Sequence, residues 1–171
     1  ENFIPFVTSA QESIGRYPLV KVIQQILLLK RENYYRPMVI ELLKSSYFSI
    51  SSGSCQKFTP RPDLWDILSR RLGIRGDITC WLSRLKQYRN MPGDDSARDE
   101  AGKYTRIPVE QVEFLENVLN SLSQDIAALP ERGSWSMMSE KITQFLQKHI
   151  HIPAENMDSE DRDRDRTIMG K

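Results

Sequence analysis

Apolar residues recur at three- and four-residue spacing along most of this chain, and prolines and glycines cut the pattern into helix-length pieces. Pro18 can open a helix at its first position, where a missing N–H costs nothing. Leu19, Val22, Ile23, Ile26, Leu27 and Leu29 then form a wide apolar face. Polar residues from Arg31 to Arg36 break the pattern before Pro37 opens a second helix faced by Val39, Ile40, Leu42 and Leu43. The spacing predicts an αα-hairpin.

A Ser/Gly/Pro-rich loop, Ser51 to Pro62, comes next. Asp63 is placed to cap or open a helix through Leu72 that Gly73 ends, and Gly76 and Asp77 start another that runs to about Arg89. Trp65 falls in line with Leu64, Leu68 and Leu72, and Trp81 with Ile78, Leu82 and Leu85, so both rings are expected in the core. Asn90 to Ile107 is poor in large apolar residues and rich in breakers, and reads as a long surface loop. Pro108 opens the longest helix, with a stripe of Val109, Val112, Leu115, Leu119, Leu122 and Ile126 before Pro130. From Ser134 a last helix should turn Met137, Met138, Ile142, Phe145 and Leu146 inward, with Ile150 near its end. No segment sustains a period of two. The expected fold is therefore all-α, a single-domain multi-helix bundle of irregular antiparallel helical hairpins.

Two stretches carry a family resemblance. Ile4 to Phe48 runs IPF, a polar stretch, PL with an apolar helix, and LLKSSYF. Arg61 to Leu85 (RPDLWDILSRRLGIRGDITCWLSRL) puts a tryptophan-bearing helix on each side of a Gly-containing turn. In this order the chain resembles the helical 2B-type insertion of UvrD/Rep-like superfamily 1 helicases. It is most similar to the degenerate form in the B subunit of bacterial ATP-dependent helicase–nucleases, whose full-length members also carry a PD-(D/E)xK nuclease domain. The resemblance lies in packing motifs and includes no catalytic signature. It implies a non-catalytic accessory domain over residues 1–153, followed by a charged tail or truncated helix at 154–171. Such a chain looks like a fragment of a longer subunit acting in DNA repair or recombination. ATP and a divalent metal would then belong to the parent and not to this segment. Its partners would be DNA, bound weakly through the parent, the parent's other domains and a partner helicase–nuclease subunit. The alternative is an independent helical protein–protein interaction module with no DNA role.

Length and composition fit an ordered module: 171 residues, 39% hydrophobic and 27% charged. A chain of this size buries about 70% of its unfolded surface and needs neither disulfide nor metal to hold a core. The sequence has no run of about 18 apolar residues and no charged-then-apolar leader, so no membrane partner and a cytoplasmic location are expected. Cys55 and Cys80 are not expected to pair in such a compartment. The net charge of +1 hides an asymmetry. Residues 1–90 carry 14 Lys/Arg against 7 Asp/Glu, and residues 91–171 carry 10 against 16. A basic face can therefore coexist with a near-neutral total. In the tail, Asp158 with Arg162 and Glu160 with Arg164 have the spacing of helical ion pairs, expected on a solvated face.

Catalytic patterns are missing. Gly170-Lys171 lacks the preceding glycine and following hydroxyl of a phosphate-binding loop, and Arg61-Pro62-Asp63 matches two letters of a nuclease motif in a helix-opening context. His149 and His151 would diverge by about 200° on a helix, a poor arrangement for zinc. A structural role at a helix C-terminus suits them better, where a partly protonated imidazole complements the dipole. Gly133 to Met137 (GSWSM) reads as a helix cap. One constellation could bind nucleic acid: Arg70, Arg71, Arg75, Arg84, Lys86 and Arg89, interleaved with Trp65, Trp81 and Tyr88.

Overall fold

A computed structural model describes residues 17–50, 59–92 and 106–152. The IPF stretch at Ile4 to Phe6, most of the two loops, Cys55 and the charged tail lie outside those residues. The described chain is all-α: α1 (Pro18–Leu28), α2 (Arg36–Lys44), α3 (Pro62–Arg71), α4 (Ile78–Arg89), α5 (Val109–Ala127) and α6 (Trp135–His149). All six helices contribute to one apolar core. The sole β pairing among the described residues is an isolated antiparallel bridge between Phe48 and Ile150.

Helix boundaries follow local chemistry. Pro18, Pro37 and Pro62 sit in first turns, where a helix has no internal partner for an N–H. Arg61, not Asp63, is the N-cap of α3. Asp63 lies inside the first turn, paired with Arg61 at 2.7 Å. At its other end α3 closes in a Schellman motif: the Gly73 N–H donates to the Arg70 carbonyl and the Ile74 N–H to the Ser69 carbonyl, both at 2.9 Å. Gly73 takes φ +62°, a conformation that costs a residue without Cβ nothing. Asp77 caps α4 by accepting from the Thr79 N–H, and Ser134 caps α6 by accepting from the Met137 N–H.

The α1–α2 connection is tighter than its polar sequence suggests. Asn33 and Tyr34 both adopt φ +51°, and that reversal buries the Tyr34 side chain. Their carbonyls face the α3–α4 turn: Asn33 accepts from the Asp77 N–H at 2.6 Å, and Tyr34 accepts from the Trp81 indole N–H at 3.0 Å. The Arg36 N–H closes the same clasp on the Arg75 carbonyl at 2.9 Å. Gly76 lies beneath it, where a Cβ would stand 2.9 Å from the Asn33 oxygen.

Both Trp65 and Trp81 are fully buried. The Trp65 indole donates to the Gln111 carbonyl at 3.0 Å and stacks on Phe114 with centroids 5.8 Å apart. The buried Gln111 amide ties α5 to the strand-like lead into α3, accepting from the Arg61 N–H and donating to the Thr59 carbonyl. Three expectations need correction. Leu27 and Met137 are each 40% exposed, because no described residue covers those turns of α1 and α6. Ile107, expected in a surface loop, is buried, and its N–H donates to the Tyr88 hydroxyl at 2.9 Å.

Candidate nucleic-acid interface

The six basic residues singled out by the sequence are not equivalent in the fold. Arg70 reaches back one turn to Asp66, with Nε at 3.2 Å and Nη2 at 2.9 Å from the two carboxylate oxygens. Arg84 donates to the Leu72 carbonyl and so helps to finish α3. Arg89 bridges α4 to α5, 3.1 Å from Glu116 and 3.9 Å from Glu113. The Glu116 oxygen it faces is buried without an aligned hydrogen bond, so Arg89 supplies its compensating charge. The side chains of Arg71, Arg75 and Lys86 are exposed and engage no other group among the described residues.

Helical geometry then divides the set. Arg84 and Lys86 leave α4 about 200° apart, on opposite flanks of the buried Trp81–Leu85 face. Because the Arg84 guanidinium sits at Leu72, it joins the α3–α4 turn bounded by Arg71 and Arg75. Lys86 stands apart from that group. Stacking by the tryptophans is excluded, since both rings are fully buried and both indole N–H groups are committed. Tyr88 is half-buried, with Arg106 5.4 Å from its ring centroid.

Two basic residues that the sequence reading missed flank this turn. Arg36 and Lys44 lie on one side of α2, eight positions apart, and both reach Asp66, at 2.7 and 3.5 Å. The backbone bond from Arg36 to Arg75 places Arg36 beside the α3–α4 turn, and Lys44 lies farther along α2 at Asp66. Burial pushes the Asp66 carboxyl up, but hydrogen bonding and charge from Arg70, with Lys44, outweigh it and hold the group below the usual carboxylate range. The signal was the Arg36, Ile40, Lys44 spacing on one helical stripe; the acid that collects those cations is on another helix.

The histidines are separated. His149 is buried between Phe48 and Phe145, with Nε2 2.9 Å from Asp125, while His151 is exposed. Burial pushes the His149 imidazole below its ordinary value despite Asp125, which favours the neutral ring. Lys148 shares Asp125 at 2.6 Å. No three His, Cys, Asp or Glu side chains converge among the described residues in a way that could hold a metal ion. No described helix is long and apolar enough to cross a membrane. Trp135 is 84% exposed at the start of α6, an outward-facing ring that the sequence reading took as part of a cap. No protein-family model matches the chain, and no curated protein or solved structure is significantly similar to it.

Proposed function

We propose that this helical module is a non-catalytic accessory domain of a DNA-processing helicase–nuclease subunit, and that it guides DNA along the basic α3–α4 turn. One observation carries the reading. Arg71 and Arg75 project from a rigidly clasped turn without internal partners, while the neighbouring Arg70 and Arg84 are held by the fold. Exposed cations on a fixed scaffold suit phosphate contacts, which position a duplex without reading its sequence. The two-helix resemblance at Ile4 to Phe48 and Arg61 to Leu85 supports the same class of parent. With few such contacts the isolated module binds DNA weakly, and it hydrolyses nothing.

Arginine footprinting tests this. Duplex DNA should protect Arg71 and Arg75 from phenylglyoxal at low salt and leave Arg132 reactive. Equal reactivity of Arg71 and Arg75 with and without DNA would defeat the proposal, as would metal-dependent DNA cleavage by the module. A protein-binding role is the second reading, favoured by Trp135, since exposed tryptophans are enriched at protein interfaces.

A further inference from the structure

We infer that the cleft between α2 and α3 centred on Asp66 is a phosphate-binding site. The cleft has a volume of about 300 Å³, with Pro37 and Ile40 among its walls and Glu41 at its edge. Three cations, Arg36, Lys44 and Arg70, converge there on the single carboxylate of Asp66. One cation would suffice to bridge the helices. Crowding three around one carboxylate is unfavourable by Coulomb's law, since their like charges repel.

Donors remain for a ligand. Arg36 uses only Nη1 on Asp66, leaving Nε and Nη2. Lys44 lies at the long distance of 3.5 Å and is half-exposed, so its ammonium can turn outward. Arg70 holds Asp66 through Nε and Nη2, which leaves Nη1. Planar guanidinium forks and a mobile ammonium are the groups that bind phosphate oxygens. Asp66 orients them, and even with Glu41 counted the lining keeps a net positive charge. The site stands on phosphate chemistry alone, whether the phosphate belongs to a nucleic-acid backbone or is free.

Amide chemical shifts, followed by NMR at constant ionic strength, test the inference with two probes: inorganic phosphate and a short DNA duplex. Phosphate should shift residues 36–44 and 66–70 saturably, where chloride does not. Lys44→Ala should weaken that binding at least threefold, and Asp66→Asn should tighten it at least threefold. Should Asp66→Asn fail to fold, Glu41→Gln on the exposed face of α2 should still tighten it. Shifts that match chloride, or tightening in neither acid variant, would overturn the site. Saturation by phosphate alone keeps the cleft as a site for free phosphate, and the DNA-guiding function then falls only if DNA also fails to protect Arg71 and Arg75. If DNA protects Arg71 and Arg75 while both probes leave the cleft unmoved, the function survives and the cleft falls.

Discussion

Trp81 ties the α1–α2 reversal to the core. Its ring is fully buried, and its indole N–H satisfies the Tyr34 carbonyl within a backbone reversal in which two consecutive residues take positive φ. Trp81→Ala removes the ring and should cost about 3–5 kcal/mol from lost transfer energy and the cavity left behind. Trp81→Phe keeps most of the apolar surface but strands the Tyr34 acceptor, at a cost of about 1–3 kcal/mol. Against a domain stability of about 5–15 kcal/mol, the alanine variant loses a large share. Urea unfolding followed by circular dichroism, with equal slopes for variant and parent, gives both numbers. A loss below about 1 kcal/mol for Trp81→Ala, or a neutral Trp81→Phe, would refute the account of the clasp.

Gly76→Ala should destabilise by about 1–3 kcal/mol, because its Cβ meets the Asn33 backbone oxygen and that carbonyl is already fixed by Asp77; a neutral effect in urea unfolding would mean the clasp is loose. The His149 imidazole is pushed down by burial, so the unfolded chain binds more protons between the folded value and about 6.5. Stability from this group is complete above that range and falls as pH drops through it, by at most about 1.4 kcal/mol per pH unit; His149→Gln should flatten that slope, and an unchanged slope would assign it elsewhere. Asp125 acts in a separate window: burial pushes its carboxyl up, Lys148 and His149 more than reverse this, and its stabilisation is lost only near pH 4 and below. Iodide should quench only Trp135 among the three tryptophans, and Trp135→Phe should remove the quenchable emission while changing stability by less than about 0.5 kcal/mol.

The helices were legible because their punctuation is covalent. Pro18, Pro37, Gly73 and Ser134 mark starts and stops that hold whatever packs nearby, and the inward stripes of α3 and α5 follow from spacing alone. What escaped depends on contacts between distant segments. Tyr34 sits in a polar break and enters the core only because two consecutive residues take positive φ. Met137 has the right spacing on α6 but no described residue that covers it, whereas Phe145 two turns later is buried. The basic residues were visible as a list and not as a surface. Nothing local says that Arg89 meets Glu116, that Arg84 meets Leu72, or that Asp66 collects Arg36 and Lys44 from another helix.

The salt dependence of duplex DNA binding tests the central claim most directly, measured for the parent and for Arg71→Ala/Arg75→Ala. Arg84 and Arg89 stay intact because each holds the fold together. Each phosphate contact contributes about −0.9 to the slope of log K against log salt. The account predicts weak binding that fades steeply with salt in the parent, and a slope shallower by about 2 in the double variant at unchanged unfolding stability. An identical slope in the two proteins would contradict it.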